Sequence, residues 1–204
     1  MIFEQAKMQG IMKELLGDDY VHLGLVGYDL HEDFHREETN IACKIRDDKT
    51  GEVTVIEGAG VGLIDAFFHA LLSRMSRDYS SLQTISIDKF IVEGKIGSGH
   101  ETSQGDALAA VTIGIRSSTG RHFEFNHESR SVTRSGIEAT LRAAEYFVNS
   151  ERAFVAAYKG LKSSRTGNRN DMVERYTGMM SQLVRNTSYS EVIEEIQLEL
   201  EIPS

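Results

Sequence analysis

Several features that would restrict the cellular setting are missing from this sequence. It contains a single cysteine, Cys43, so no disulfide can form within the chain and nothing requires an oxidising compartment. No stretch approaches the roughly 18 consecutive apolar residues of a membrane-spanning helix. The first residues also lack the basic and then hydrophobic segments of a signal peptide. We therefore expect a cytoplasmic protein that is neither secreted nor inserted into a membrane.

Basic residues are too few for a broad nucleic-acid interface. The 204 residues include 22 Lys and Arg against 31 Asp and Glu, for a formal net charge of -9. A surface that binds nucleic acid must collect positive charge against the phosphates. The basic stretch at residues 159–169 is interpreted as a solvated helix end and loop. We expect no nucleic-acid partner, and the 40% of apolar residues suffices for the core of one domain with an appendage.

Motifs for nucleophilic catalysis and cofactor binding are also absent. There is no G-x-S-x-G, and Cys43 lies in a predicted strand without a nearby base. Gly58, Gly60 and Gly62 precede a predicted helix that has Asp65 in its first turn, but they do not form G-x-G-x-x-G, and no G-K-[ST] follows. Two interpretations stay open: a phosphate cradle at the helix N-terminus, or glycines that let a strand approach the helix closely. We expect no cofactor.

One literal catalytic motif is present, because His31, Glu32 and His35 satisfy H-E-x-x-H. On a helix, this spacing places two imidazoles on one face to bind zinc, beside a glutamate that deprotonates water. Here the flanking sequence is charged and follows a predicted strand, so residues 31–38 are interpreted as a charged surface loop. A zinc-dependent hydrolase with His31 and His35 as ligands stays open as an alternative function.

What the chain does contain is a pattern that occurs twice, in residues 40–72 and 109–144. Each copy has a strand, a turn with glycine, a second strand and a helix that opens with I-[DE]-A. The turns at residues 48–51 and 117–120 have the composition of tight turns that close hairpins. One copy is too small to bury its own apolar face, so two copies are expected to pack together. The predicted fold is α+β, with two tandem β-β-β-α units related by pseudo-two-fold symmetry.

The segments outside the repeat are predicted to be mainly helical. Residues 1–20 are expected to form an amphipathic N-terminal helix. Residues 21–150 form the paired units, which divide at about residues 78–83. Residues 151–204 form a helical extension, and the alternating residues 196–202 favour a terminal strand that could pair with another chain. A helical continuation from Ser190 stays open as the alternative.

Local signals predict the elements within this frame. A helix is expected over residues 63–77, a strand over residues 85–92 and a glycine-bearing loop over residues 94–104. Ser135 and Glu138 have capping-box spacing, which predicts that the second long helix begins there. A further helix is expected over residues 171–184.

Residues 58–71 resemble the G-x-G-x-G-P-[IV]-D-A-x-x-x-A-[LI] segment of the C-terminal regulatory domain of 2-isopropylmalate synthase. This LeuA allosteric or dimerisation domain also has relatives in citramalate synthases. Residues 88–90, 105–110 and 131–139 match further motifs in the same order, so the resemblance covers residues 21–149. The sequence departs from the pattern at Leu63, where the family has proline, and at residues 126–130, where the family is glycine-rich.

The resemblance implies a homodimer that binds an end-product amino acid as a feedback effector. The implied pocket lies at the end of the first helix, the following strand and the alanine-rich strand of the second unit. Small residues there leave room for an aliphatic side chain, and ordinary close packing is the alternative explanation. The implied effector contacts are Leu71, Leu72, Phe90, Gly94, Ala107 and Ala109.

The catalytic half of the synthase family would by itself exceed the length of this chain. The resemblance therefore implies a non-catalytic regulatory module that senses leucine or a related branched-chain metabolite and acts on a separate acyltransferase subunit. A purely structural protein-interaction module is a third possibility.

Overall fold

The protein is described here from a computed structural model, which covers residues 2–95 and 108–186. Within these residues the chain forms four α-helices and six strands, with short 3-10 turns at Gly17–Asp19 and Ser80–Thr84. The elements are α1 (Ile2–Leu16), β1 (Leu23–Asp33), β2 (Glu38–Asp47), β3 (Val53–Gly60), α2 (Leu63–Met75), β4 (Ile85–Lys95), β5 (Leu108–Ser117), β6 (His122–Ser129), α3 (Val132–Thr166) and α4 (Asn170–Asn186).

The six strands form two antiparallel sheets with the orders β1-β2-β3 and β4-β5-β6. Each sheet is followed by a helix, which confirms the predicted α+β fold of two β-β-β-α units. The repeat extends to the first strand of each unit, because β1 and β4 carry bulges at equivalent positions. As a result, Tyr28 of β1 lies opposite Cys43, and Phe90 of β4 lies opposite Ile113.

The hairpin turns are those that the sequence predicts. Gly51 and Gly120 adopt φ angles of 72° and 78°, which glycine accepts without the strain of a Cβ atom. The Gly51 N–H donates to the Asp47 carbonyl at 2.8 Å, and the Gly120 N–H donates to the Ser117 carbonyl at 2.9 Å. These local bonds set the register in both sheets.

The helices cover the two sheets unevenly. Helix α2 packs on β2 and β3, while α3 packs on β5 and β6. The first strand of each sheet is less covered, so Tyr28 is 37% exposed and Phe90 is 49% exposed although both face the helix side. Between the helices and sheets lies one core, which includes Phe67, Ile113 and Phe147.

Helix α3 begins earlier and ends later than its sequence signals predict. The predicted capping box at Ser135 and Glu138 is wrong, because the helix starts at Val132 and Ser131 is its N-cap. The Ser131 hydroxyl accepts a hydrogen bond from the Arg134 N–H at 3.2 Å. Ser135 is instead fully buried and donates to the Ala109 carbonyl at 3.0 Å. The helix then continues without a break through residue 150, where the sequence suggested a boundary.

The charged loop predicted at residues 31–38 is mostly part of a hairpin. Strand β1 continues to Asp33, whose carboxylate accepts hydrogen bonds from the N–H groups of His35 and Arg36 at 3.0 and 3.1 Å. These bonds close a turn of four residues before β2 begins. The long loop was predicted because charged residues rarely favour a strand, but these side chains point to solvent on an exposed hairpin end.

The segments that precede and follow the paired units are helical in the described residues, as predicted. Residues 159–169 form the end of α3 and the following turn, where most side chains are exposed but Leu161 and Ser164 are buried. Helix α4 packs on α3 and α1. The predicted terminal strand at residues 196–202 and most of the predicted loop at residues 94–104 lie outside the described residues. None of the helices in the described part of the chain combines the length and apolar character needed to cross a membrane.

Candidate functional site

The implied effector contacts fall into two separate places. Leu71 and Leu72 lie on α2; Leu71 is 3% exposed, and Leu72 packs half-buried on the core. Gly94 of β4 and Ala109 of β5 are direct neighbours in the second sheet. Phe90 lies on the same strand as Gly94. Ala107 lies outside the described residues.

Leu71 lines a cavity of about 230 Å³ between the first sheet, α2 and α3. We call it the Leu71 cavity. Apolar side chains form much of its wall, including Ile45, Ile56, Leu71 and Met75. Phe90, Gly94 and Ala109 do not line it. The structure therefore associates one of the implied effector contacts with a cavity and places the second-sheet contacts elsewhere.

Charged side chains of both signs line the Leu71 cavity as well. Arg74 and Asp78 pair with each other at 3.5 Å. Arg152 of α3 has no carboxylate within ion-pair distance among the described residues, and it attracts Asp19 only at longer range. Glu52 likewise has no cationic partner in the described part of the chain. Asp47 also lines the cavity, and its carboxylate accepts hydrogen bonds from the N–H groups of Lys49 and Thr50 rather than from a cation. In the described part of the chain the cavity thus combines an apolar wall with one cation and two carboxylates that form no ion pair.

A second, larger cavity of about 670 Å³ lies between α1, the start of β1, β6 and α3. We call it the polar cavity. Its lining includes Glu138, Arg142 and Glu145 of α3. The Glu145 carboxylate accepts a hydrogen bond from the Leu23 N–H. Burial raises the pKa of Glu145 to about 7, and this outweighs the lowering effects of that hydrogen bond and of Arg142.

The two cavities are connected by a polar stripe along α3. Glu138, Arg142, Glu145, Asn149 and Arg152 follow one another at spacings of four and three residues, which places them on one helical face. Asn149 lies between the cavities and anchors Val21, which precedes β1. Its amide oxygen accepts a hydrogen bond from the Val21 N–H at 2.8 Å, and its amide nitrogen donates one to the Val21 carbonyl at 2.9 Å. We did not predict this stripe, although its periodicity is visible in the sequence of the helix.

Two of the three glycines before α2 have a packing role. A Cβ atom at Gly58 would lie 2.4 Å from the Ala66 carbonyl oxygen, and one at Gly60 would lie 2.6 Å from the Ala66 nitrogen. A Cβ at Gly62 would meet no atom within 4 Å. These contacts support the close-packing interpretation, because β3 can approach α2 only where it lacks side chains.

The Asp65 carboxylate lies against the glycine-bearing segment at the N-terminus of α2. It accepts a hydrogen bond from the Val61 N–H at 3.1 Å and lies 3.7 Å from His69. A fixed negative charge at the N-terminus of α2 already complements the helix dipole and would repel an anion. The geometry therefore disfavours a phosphate cradle at Gly58, Gly60 and Gly62.

The H-E-x-x-H residues do not form the helical zinc geometry. His31 and Glu32 lie in β1, where successive side chains point to opposite faces, and His35 lies in the following turn. Among residues 2–95 and 108–186, no group of three or more His, Cys, Asp or Glu side chains is placed to hold a metal ion. Cys43 is also unsuited to nucleophilic chemistry, because burial raises the pKa of its thiol to about 12.

Comparison with protein-family models gave no match for this chain, and comparison with curated proteins gave none either.

Proposed function

We propose that this protein is a non-catalytic regulatory module that binds a branched-chain amino acid in the Leu71 cavity. The observation that carries the proposal is the position of Leu71, which the resemblance implies as an effector contact and which lines an apolar-walled cavity. Ligand sites are typically concave and apolar, with a few polar groups that fix orientation.

The chemistry of the lining suits a small zwitterion with an aliphatic side chain. The guanidinium of Arg152 is a donor for the ligand carboxylate, and the carboxylate of Glu52 is an acceptor for the ligand ammonium. Ile45, Ile56 and Met75 offer apolar surface to the side chain. Leucine, isoleucine and valine meet these three requirements, whereas glycine lacks the aliphatic group.

Ligand binding is tested by thermal unfolding with leucine, isoleucine, valine and glycine added separately. A ligand at about a hundred times its dissociation constant adds roughly 2.7 kcal/mol to the folded state. We expect Arg152→Gln to weaken binding by about 10-fold or more, because a charge-assisted hydrogen bond contributes roughly 1.5–3 kcal/mol. Arg165→Gln at the exposed end of α3 is the matched control and should leave binding intact. Equal responses to all four amino acids, or none, would refute the proposed ligand.

The proposal includes homodimerisation through the first strands of the two sheets. Tyr28 and Phe90 occupy equivalent, partly uncovered positions, and Val92 beside Phe90 is also exposed. Exposed apolar side chains that adjoin one another favour association. A dimeric module of this kind would transmit ligand binding to a separate acyltransferase subunit.

Sedimentation of the wild type and two variants tests the dimer. Phe90→Glu places a charge within the proposed contact and should give a monomer. Val55→Glu changes an equally exposed residue of β3 and should leave the dimer unchanged. A monomeric wild type contradicts this part of the proposal, and a dimer that binds none of the amino acids supports the structural-module alternative instead.

A further inference from the structure

The polar cavity contains one carboxylate that differs from the others around it. Asp48 pairs with Arg46 at 2.9 Å, and Glu124 pairs with Lys89 at 2.7 Å. Glu138 lies 3.9 Å from Arg134. Each of these acidic residues has a cation beside it that does not itself line the cavity. Glu145 has none within ion-pair distance among the described residues, although it is the most deeply placed of them.

The two cations that line the polar cavity are already engaged by other groups. Arg142 donates to the Asn126 carbonyl, and Lys13 lies 5.6 Å from the centre of the Tyr20 ring. Neither forms an ion pair with Glu145. Four acidic and two basic side chains line the cavity, and Glu145 is the acidic one without a cation at ion-pair distance in the described part of the chain, so a cationic group of a ligand would supply its missing partner.

A second observation at the same cavity points to a missing hydrogen-bond donor or acceptor. Tyr146 lines the cavity and is 1% exposed, and its hydroxyl has no hydrogen-bond partner in the described structure. Buried hydroxyls normally have a partner, because an unsatisfied one costs about 1–3 kcal/mol. The aromatic rings of Tyr20, His22 and Phe125 also line the cavity and can face a cation.

We propose that the polar cavity binds a small molecule with a primary ammonium group, held by the Glu145 carboxylate and the Tyr146 hydroxyl. A primary ammonium has three N–H donors and can donate to both oxygens. The rings beside it suit an aromatic amine. This site is distinct from the Leu71 cavity and does not depend on the function proposed for that cavity.

Binding of 2-phenylethylamine, measured by isothermal titration calorimetry, tests the site. Its neutral isostere 2-phenylethanol and the zwitterion leucine are the comparison ligands. We expect saturable binding of the amine in the millimolar range or tighter, and at least 10-fold weaker binding of the alcohol. Equal binding of amine and alcohol, or no saturable amine binding, would overturn the proposal.

Proton release identifies the residue that holds the ammonium. Burial raises the pKa of Glu145 to about 7, so part of the free molecules carry this proton at neutral pH, and an ammonium partner would expel it. Titrations in two buffers of different ionisation enthalpy should therefore show net proton release when the amine binds. If His22 or another group were the source, the release would persist in Glu145→Gln, which would contradict the assignment.

Three variants separate the ammonium site from a general loss of structure. Glu145→Gln keeps the acceptor for the Leu23 N–H, so the protein should fold, yet amine affinity should fall by about 10-fold or more. Glu57→Gln removes an exposed charge on β3 and is the control for net charge. Tyr146→Phe should weaken amine binding while it leaves folding stability unchanged or higher. Arg152→Gln in the Leu71 cavity should not affect the amine, so the two proposals fail or succeed separately.

Discussion

Substituting Ala for Gly58 adds one methyl group where β3 approaches α2 most closely. The new Cβ would lie 2.4 Å from the Ala66 carbonyl oxygen, 2.7 Å from the Ala70 nitrogen and 2.8 Å from the Ala70 Cβ. All three atoms belong to α2, and two of them are backbone atoms that no change of rotamer can move. The helix must therefore shift by about 1 Å to restore ordinary van der Waals contact.

A shift of this size disturbs the packing of the whole α2 face. Ala66, Phe67, Ala70 and Leu71 are all buried on that face. Overpacking of a close-packed interior costs about 1–3 kcal/mol. For a protein of this size, each kcal/mol corresponds to roughly 2–4 °C in Tm, so we expect Gly58→Ala to lower Tm by about 2–12 °C.

Thermal unfolding of two further glycine variants provides the comparison. Gly136→Ala would bring a Cβ to 2.7 Å from Ile64 Cδ1, the far end of a flexible side chain, so the loss should be smaller. Gly10→Ala in α1 meets no atom within 4 Å and should stabilise the protein by about 0.5–1 kcal/mol through helix propensity. The close-packing argument is refuted if Gly58→Ala unfolds at or above the wild-type temperature while Gly10→Ala behaves as expected.

Three other variants test the remaining structural assignments by equilibrium unfolding. Ser131→Asp keeps an N-cap acceptor and should change the free energy of unfolding by less than about 0.5 kcal/mol. Ser135→Asp buries a charge and should lower the free energy of unfolding by more than about 3 kcal/mol. The opposite order of the two effects would identify Ser135 as the N-cap. Because the pKa of Glu145 rises from 4.5 to about 7 on folding, the folded state holds this proton more tightly and stability should fall as pH rises through that range, by up to about 3 kcal/mol. Glu145→Gln should remove this slope, and an unchanged slope would assign it to another group. Asn149→Leu leaves both backbone groups of Val21 without partners and should cost about 2–4 kcal/mol, with hydrogen exchange fastest near Val21; protection equal to that of the wild type would show that Asn149 does not anchor this segment.

Local signals in the sequence were enough to predict the two β-β-β-α units. The hairpins follow from Gly51 and Gly120, which supply positive φ angles in turns of four residues, and the helices follow from apolar periodicity. The start of α3 was missed because Ser135 looks like an N-cap, yet its hydroxyl is used by Ala109, a residue 26 positions away. A local pattern cannot report a bond that depends on tertiary packing.

The two cavities also depend on tertiary packing that local sequence patterns do not report. Leu71 was named from a resemblance, but its charged neighbours Arg152 and Glu52 come from a distant helix and a hairpin. The polar cavity needs α1 to approach α3, and no pattern within either helix specifies that approach. The periodic polar stripe on α3 was visible in the sequence, and it marks the side of the helix on which both cavities lie.

The unbroken 35-residue course of α3 determines where this chain can accept changes in length. At 1.5 Å per residue the helix spans about 50 Å, and it contacts the second sheet, α1, α2 and α4 along its course. One residue inserted after Ser150 would rotate everything beyond it by about 100° relative to the second sheet. Arg152 would then leave the Leu71 cavity, while Glu145 would stay in the polar cavity. An insertion in the exposed turn at residues 34–37 leaves the rotation of α3 unchanged, so the chain can change length there while α3 keeps its length.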